Sequence, residues 1–273
     1  MILKKIKVLT IYDLITNCYI IQDEKTKETM VVDPGAEVDK IIEMLDILNA
    51  NLKYIYLTHC HGDHIGGVSE LQSKKGGKIL IHRFDADGLT NPDISLTNYL
   101  GIDASFEPDS RLNDGDKLHL GDLEFKVIHT PGHTKGGTCL YCQKEGFLIS
   151  GDTLFRGTWG RTDLPTGSLE DIMDSITKKI LKLPGKTIVY PGHGKTTLIK
   201  EEMPIYLDLK PRLDWCHIGD VLSHWGRFIS VPIGTEQIGI NFFCANLLRP
   251  YWHRNETSPM GQNVTNVSSY FLF

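Results

Sequence analysis

The chain has 273 residues and a formal net charge of −5, with 41% hydrophobic and 23% charged residues. This length can bury a substantial core, in one large domain or in one domain with a small addition. The acidic balance argues against a general nucleic-acid binder, which needs a basic face. No stretch of about 18 apolar residues occurs, so no membrane-spanning segment is expected.

The N-terminal segment MILKKIKVLTIYDLITNCYII predicts strands rather than a signal peptide, because apolar and polar residues alternate and no small-residue cleavage site follows. The six cysteines are scattered along a chain without an export signal. Reduced thiols and a cytoplasmic location are therefore expected. Cys139 and Cys142 form a Cys-x-x-Cys on a predicted strand without a second pair, so a redox or zinc-ribbon role is not expected.

Strands and helices alternate along the first part of the chain. Three β-branched runs within residues 2–33 predict a meander of strands. Apolar residues at helical spacing in EVDKIIEMLDILNA predict an amphipathic helix. LKYIYLTH then predicts a strand, GVSELQSKKGG a helix, and KILIH a further strand.

The second part begins with a predicted loop over residues 91–109, followed by a predicted hairpin with a Gly-Asp turn in DKLHLGDLEFKVIH. Residues 136–152 predict two strands, SLEDIMDSITKKILKL predicts a helix capped by Ser168, and KTIVYP predicts a last strand. This order favours an α/β (α+β) class with mixed sheets covered by helices.

The residues past about 205 differ from the rest. They contain aromatic residues but no sustained period of 3.6 or 2, and their end is rich in Asn, Ser and Thr. We therefore expect a hydrolase-type domain over residues 1–205 and a separate C-terminal tail over residues 206–273. The tail has three interpretations: a small added domain, a dimer or substrate-access element, or a segment that folds poorly.

The stretch YLTHCHGDHIGG, residues 56–67, places four metal-type side chains within six residues, directly after a predicted strand. They are His59, His61, Asp63 and His64. The first two are two residues apart, so a short extended segment directs both to the same side, and Gly62 permits the tight turn that follows. Nitrogen and oxygen ligands of this kind suit zinc, iron or manganese. Cys60, between two same-facing histidines, is expected to point away as a small buried residue.

Three later loops each add one candidate. His133 lies in the Pro-Gly turn of HTPGHTKGG and is preferred over His129, which is expected to be packed. Asp152 follows the strand of LISGDTLF, and its two carboxylate oxygens can bridge two metals. His193 follows a strand and Pro-Gly in VYPGHG. Strand-end loops on a rigid sheet are where a site is expected.

Taken in order, HCHGDH, PGHT, SGDTLF and YPGHG resemble the metallo-β-lactamase superfamily, over roughly residues 5–205. Within that superfamily, GDTLFRGTWGRTDLPTG most resembles the hydroxyacylglutathione hydrolase (glyoxalase II) branch and its bacterial relatives. The resemblance implies a four-layer αβ/βα sandwich, in which two mixed β-sheets face each other and helices lie outside.

The resemblance also implies a ligand set for two divalent metal ions, with zinc expected and iron or manganese as alternatives. Metal one would be held by His59, His61 and His133, metal two by Asp63, His64 and His193, and Asp152 would bridge them. The implied activity is a dinuclear thioesterase that cleaves S-acyl-glutathione-like or other small thioesters through a metal-bridging hydroxide. Asp63 is the implied catalytic residue, which orients the nucleophile and takes up its proton.

One alternative activity comes from a different class, the persulfide dioxygenases of the same superfamily. These use one iron, which here would be held by His59, His133 and Asp152. A redox diiron module is disfavoured because His61 stands where diiron oxygen reductases have Glu. The expected partner is a small-molecule substrate, without nucleic acid or membrane, and the sequence does not specify an oligomeric state.

Several further residues are candidates for supporting roles. Asp33 and Thr58 are candidates to orient ligand histidines, although Asp33 before Pro34 is also typical of a simple turn. Candidates for lining a substrate pocket are Arg156, Arg161 and Tyr190, and Arg161 could instead pair with Asp163. Longer glyoxalase II enzymes carry a helical C-terminal domain with basic residues, which residues 206–273 do not resemble, so the reaction class is better defined than the substrate.

Overall fold

The first of two β-sheets is formed by the N-terminal part of the chain. The computed structural model describes residues 1–10 and 14–206, so the predicted tail lies outside the described residues apart from residue 206. This sheet is antiparallel over its first three strands, as the predicted meander requires, and parallel over the rest. In spatial order its strands are β1 (Ile2–Leu9), β2 (Ile15–Gln22), β3 (Glu28–Val32), β4 (Asn51–Tyr56), β5 (Lys78–His82) and β6 (Ser110–Leu112).

The second sheet follows β6 in the chain and is antiparallel except for one parallel pair, β10 with β11. The predicted Gly-Asp turn joins its first two strands. In chain order its strands are β7 (Lys117–Leu120), β8 (Leu123–His129), β9 (Thr138–Cys142), β10 (Phe147–Gly151), β11 (Ile188–Pro191) and β12 (Thr197–Leu198).

The helices connect these strands. Ser168 caps a helix as predicted, because its Oγ accepts a hydrogen bond from the Asp171 backbone N–H at 3.2 Å. That helix continues through a π-turn, Ser175–Lys179, and a 3₁₀ turn, Ile180–Lys182. In chain order the α-helices are α1 (Val38–Ile47), α2 (Gly62–Ile65), α3 (Val68–Lys75), α4 (Thr97–Leu100), α5 (Leu169–Asp174) and α6 (199–206).

Three apolar clusters hold the layers together. The central cluster lies between the sheets, where alternating residues of the strands, such as Tyr19 and Ile21 of β2 and Phe125 of β8, are fully buried. One outer cluster packs α1 and α3 on the first sheet, and the other packs α5 and α6 on the second. The two mixed sheets flanked by helices confirm the predicted fold class.

Several short strands and helices were not predicted from the sequence. The region predicted as loop, 91–109, contains the single turn α4, and the chain adds β6, β12 and α6, none of which was predicted. Two- and three-residue strands have no periodic sequence signal, because their pairing is decided by the neighbouring strand. Among the described residues, no helix is both long and apolar enough to cross a bilayer.

Candidate metal centre

The first ligand loop leaves β4 at one edge of the sandwich. The backbone bends at Thr58 and His59 and is extended at His61 (φ −68°, ψ 145°), and the short helix α2 then begins at Gly62. This helical turn brings Asp63 and His64 round to the side faced by His59 and His61. Gly62 has little room for a side chain, because an added Cβ would lie 3.0 Å from Thr97 Cγ2.

All seven predicted ligand residues converge at this edge, at the ends of strands β4, β8, β10 and β11. Their candidate ligand atoms fall into groups whose members lie within 4.8 Å of one another. We call His59, His61 and His133 the histidine cluster, and Asp63, His64 and His193 the mixed cluster. A third, overlapping group joins His59 and His64 to Asp152. Six of the seven residues are buried, and His193 is partly exposed.

Asp152 lies between the two clusters. Its Oδ2 is 3.5 Å from His133 Nε2 and 3.4 Å from His193 Nε2, and its Oδ1 is 3.5 Å from His64 Nε2. Asp152 can reach this position because Gly192 has no side chain: a Cβ there would lie 2.1 Å from Asp152 Oδ1. One carboxylate therefore contacts histidines of both clusters.

Hydrogen bonds from the far side of three rings fix which nitrogen points inward. His133 Nδ1–H donates to the Arg161 carbonyl at 2.7 Å, and His193 Nδ1–H donates to the Ile15 carbonyl at 2.8 Å. His64 Nδ1–H donates to Asp33 Oδ2 at 3.0 Å. The Nε2 atoms of the three rings are thus directed at the centre. Those of His64 and His193 lie 3.3 Å apart, so both nitrogens face the same point at the centre.

Three buried polar atoms at the centre have no hydrogen-bond partner: His59 Nε2, His61 Nε2 and Asp152 Oδ1. Leaving such atoms unpaired is costly, and native proteins rarely do so without a reason. A divalent cation that accepts nitrogen and oxygen ligands would satisfy all three. The donor set therefore fits the divalent metals expected from the sequence.

The electrostatics of the two clusters differ. Burial, reinforced by the neighbouring histidines, lowers the pKa of His61 to about 3 and that of His59 well below its ordinary value. Burial also opposes the charged forms of His64 and His193, but the nearby carboxylates outweigh it and raise their pKa values to about 9 and about 11. His59 and His61 of the histidine cluster are thus neutral imidazoles, whereas His64 and His193 of the mixed cluster are imidazoliums beside carboxylates.

The pKa values of the carboxylates shift downward, opposite to those of His64 and His193. Burial favours the neutral form of both Asp63 and Asp152, but the adjacent His64 and His193 outweigh it and hold both pKa values below the ordinary range. Asp63 Oδ2 lies 3.2 Å from His193 Nε2 and also accepts a hydrogen bond from Thr16 Oγ at 3.1 Å. Both carboxylates are therefore ionised and available as ligands at neutral pH.

Asp33 supports the first ligand loop as predicted. Its Oδ1 accepts the Thr58 backbone N–H at 2.8 Å, and its Oδ2 accepts both the Thr58 hydroxyl at 2.7 Å and His64 Nδ1–H at 3.0 Å. Thr58 Oγ1 in turn lies 3.0 Å from His59 Nδ1. Asp33 adopts a left-handed backbone conformation (φ 52°), which is uncommon for a residue other than glycine and typical of functional sites.

Asp85 was missed by the sequence analysis, yet it joins two ligand loops. Its Oδ2 accepts the Thr134 hydroxyl at 2.7 Å and the Cys60 backbone N–H at 3.2 Å, and its Oδ1 accepts the Gly136 N–H at 2.6 Å. The side chain is buried. The sequence signal that could have identified Asp85 is its position just after β5. Acidic residues after strands are common, however, so this position alone does not indicate a role.

Residues that the sequence analysis set aside lie outside the centre. Cys60 is fully buried in the outer cluster of the first sheet. The ring of His129 stacks on that of His82, with centroids 4.1 Å apart, and its Nε2 contacts the Lys135 carbonyl. Both therefore have packing roles, as predicted.

The three residues proposed to line a substrate pocket lie in different environments. Arg161 forms a two-pronged ion pair with Asp163, at 2.8 and 2.7 Å, which is the alternative that the sequence left open. Tyr190 packs edge-on against Tyr19 in the core between the sheets. Arg156 is exposed. Phe155, which was not predicted, places its ring edge-on against His193, with centroids 5.9 Å apart.

Comparison with known proteins agrees with this architecture. The sequence model of the metallo-beta-lactamase superfamily matches residues 11–193. The Haemophilus influenzae protein named hydroxyacylglutathione hydrolase GloC is 35% identical over 197 residues, which are 68% of this chain and 89% of that protein.

Solved structures give the same result. BLEG-1 B3 metallo-beta-lactamase is 34% identical and covers 74% of this chain and 97% of its own, with a TM-score of 0.69. TTHA1623 in a di-iron-bound form is 32% identical and covers 72% and 96%, with a TM-score of 0.64. ETHE1 from Myxococcus xanthus is 25% identical and covers 78% and 92%, with a TM-score of 0.62. By family match, fold and similarity over most of its length, this chain belongs to the metallo-beta-lactamase superfamily.

Proposed function

We propose that this protein is a dinuclear metallo-hydrolase, and specifically a thioesterase for S-acyl-glutathione-like or other small thioesters. The observation that carries the proposal is the position of Asp152, within 3.5 Å of histidines from both clusters. A single carboxylate placed between two ligand sets is typical of a two-metal hydrolase. The similarity to GloC supports a thioester as the substrate class.

In this proposal the histidine cluster holds one divalent ion, the mixed cluster holds the second, and Asp152 contacts both. Zinc is the expected metal, because imidazole and carboxylate ligands suit it. The di-iron form of TTHA1623 supports iron as an alternative, and manganese accepts the same ligands. Bound there, two divalent cations would polarise the acyl carbonyl and lower the pKa of a water shared between them.

Asp63 is the proposed catalytic residue of the chain. Its Oδ2 faces His193 at 3.2 Å and is held by the Thr16 hydroxyl at 3.1 Å, so the carboxylate has a defined orientation. It is ionised at neutral pH and can accept the proton of a water that it orients. No Ser or Cys nucleophile is required in this scheme.

The second candidate function is a persulfide dioxygenase with a single iron held by His59, His133 and Asp152. The arrangement of these side chains favours it, because His59 and His133 belong to one group of candidate ligands and Asp152 Oδ2 lies 3.5 Å from His133 Nε2. Against it stands the mixed cluster, whose three further side chains converge within 4.8 Å. A one-metal enzyme has no need for that second ligand set.

We further propose that residues 1–205 form the hydrolase domain and that residues 206–273 form a separate tail, whose role a truncation tests. The proposed substrate is a small molecule, the proposed location is the cytoplasm, and no nucleic-acid or membrane partner is proposed. A chain that ends after Asp208 keeps all of α6 and tests the domain boundary. Full activity and solubility of the truncated protein would mean that the tail carries no chemistry; a loss of activity in folded, truncated protein would contradict the boundary at residue 205.

The first experiment is the metal content per chain of freshly purified protein, measured by elemental mass spectrometry. About two metals per chain, with hydrolysis of thioesters in a substrate panel, supports the dinuclear thioesterase. The panel includes a β-lactam, because BLEG-1 is named as a metallo-beta-lactamase. One iron per chain, with oxygen uptake on glutathione persulfide and no thioester hydrolysis, would replace it with the second candidate.

A further inference from the structure

We propose that Glu202, on α6, is a positioning residue that fixes the loop of residues 155–161 against the candidate metal ligands. The inference concerns how the proposed metal site is held in shape, and so it rests on the proposed metal binding but not on the identity of the substrate. It assigns a role to a buried acid that belongs to none of the ligand motifs of the sequence.

The inner side of this loop touches three of the candidate ligands. The Arg161 carbonyl accepts His133 Nδ1–H at 2.7 Å, which orients that imidazole. The Gly160 N–H donates to the Asp152 carbonyl at 3.1 Å. The ring of Phe155 lies edge-on to His193. Ligands of both clusters, and the residue between them, therefore depend on where this loop sits.

The contact is close enough to transmit small movements. A Cβ added to Gly160 would lie 2.1 Å from the Asp152 carbonyl oxygen and 3.0 Å from His133 Nδ1. The loop backbone thus packs directly on the ligand residues, with no side chain between them. A shift of the loop by a few tenths of an ångström would change the direction of the His133 ring.

The tip of the loop has little apolar packing of its own, whereas Trp159 beside it packs against the outer cluster of the second sheet. Residues 156–158 are exposed, and the tip is a tight turn in which the Phe155 N–H donates to the Thr158 carbonyl at 2.9 Å. Gly157 in this turn has a φ of 80°, which favours glycine. Something outside the loop must therefore hold its tip in place.

Glu202 and Tyr206 supply that support. Glu202 Oε2 accepts the Gly157 N–H at 2.9 Å, and its Oε1 accepts the Thr197 hydroxyl at 2.6 Å. One turn further along α6, the Tyr206 hydroxyl donates to the Thr158 carbonyl at 3.0 Å, and its ring packs near Trp159. Both side chains are 1% exposed.

The chemistry of this contact favours a specific role over general packing. A carboxylate is costly to bury unless hydrogen bonds compensate it, and a leucine would fill the same space without that cost. Within the described part of the chain, Glu202 has no salt-bridge partner. What the carboxylate provides is a charge-assisted hydrogen bond to one backbone N–H at the loop tip.

The test compares Glu202→Gln with Glu201→Gln, its exposed neighbour on the same helix, both in the full chain. Limited digestion with trypsin reports the opening of the loop, because Arg156 lies at its exposed tip. Cleavage after Lys144, in the exposed turn between β9 and β10, serves as the internal reference. Loss of the charge-assisted hydrogen bond is expected to speed cleavage after Arg156 by about tenfold relative to that reference.

The effect on the ligands is read from metal binding rather than from catalysis. In Glu202→Gln, the zinc dissociation constant, measured by competition with a chelator, is expected to rise by about tenfold, as when a residue that orients a ligand is lost. The visible absorption of the cobalt-loaded protein is expected to shift, since it reports ligand geometry. Glu201→Gln should match the natural protein in all three measurements.

Tyr206→Phe is the second variant, in case Glu202→Gln fails to fold. It removes only the hydroxyl that holds Thr158, and a smaller change in the same direction is expected. Unchanged cleavage after Arg156 and an unchanged cobalt spectrum in the folded variants would overturn the proposal. None of these readouts needs a substrate, so a failure of the proposed thioesterase activity would be recognised separately.

Discussion

The histidine cluster and the mixed cluster meet at Asp152 but are built on different principles. In the histidine cluster, burial lowers the pKa values of His59 and His61, and each of these two rings leaves a buried nitrogen without a hydrogen-bond partner. The mixed cluster balances its own charge, because Asp63 pairs with imidazoles at 3.2 and 3.4 Å. Without a cation, the histidine cluster keeps buried nitrogens that have no hydrogen-bond partner, whereas the side chains of the mixed cluster pair with one another. The histidine cluster, which has no carboxylate of its own, therefore depends more on a bound cation than the mixed cluster does.

The strongest test of this comparison removes the residue that both clusters share. Asp152→Asn eliminates the charge between them, and we expect metal content to fall at both clusters and kcat/KM to drop by at least about 10³-fold. Metal content and thioester hydrolysis measure the two effects. Asp103→Asn, at an exposed aspartate outside the centre, is the matched control for folding. Retention of two metals by Asp152→Asn would show that the clusters are independent.

A pair of single substitutions separates the clusters. His61→Ala removes one ligand from the histidine cluster, and His193→Ala removes one from the mixed cluster. Each variant is expected to keep about one metal per chain and to lose about 10²-fold or more in activity, because two-metal chemistry needs both ions. Exposed His119 provides the control substitution His119→Ala. If either variant loses both metals, the division into two clusters is wrong.

The supporting carboxylates provide a further test, because the direct contact of Asp33 with a ligand is to His64 of the mixed cluster, and its link to His59 runs only through Thr58. Asp85 joins the loops that carry the histidine cluster, whereas Asp33 holds His64 of the mixed cluster. Asp85→Asn places an amide where backbone N–H groups and a hydroxyl donate, so the free energy of unfolding should fall by about 1–3 kcal/mol.

Asp33→Asn is the corresponding substitution for the mixed cluster. Both variants are expected to weaken metal binding by about 10- to 100-fold, each mainly at its own cluster. Urea denaturation measures the change in stability, and stepwise chelator competition measures the two metal affinities. Equal weakening of both steps in both variants would mean that the supports are shared and not divided.

The smallest effect concerns a histidine outside the centre. Burial, with the adjacent His129, lowers the pKa of His82 to about 4, below its ordinary value of 6.5. The unfolded chain therefore binds this proton more readily, so the free energy of unfolding should fall as the pH drops from about 6.5 toward 4, by on the order of 1 kcal/mol. Urea denaturation of His82→Phe, which keeps a ring against His129, should lack this component. An identical pH dependence in the variant would show that His82 does not titrate in this range.

Much of the local structure could be predicted because its signals lie within a few residues. The Ser168 cap, the Gly-Asp hairpin turn and the amphipathic helix α1 each follow from a short pattern. The candidate ligands share this property. Four of them occur within six residues after β4, and each of the others follows a strand in a Gly-containing loop.

Residue types and their short-range order are enough to predict which side chains could bind metal and that each lies at the end of a strand. How those side chains are held depends on contacts between distant parts of the chain. His193 is oriented by the Ile15 carbonyl, 178 positions away, and Asp63 by Thr16, 47 positions away. The roles of Asp85 and Glu202 likewise exist only across loops that the sheets bring together. The physical reason is that a hydrogen bond to a backbone group depends on position and not on residue type, so no local pattern records it.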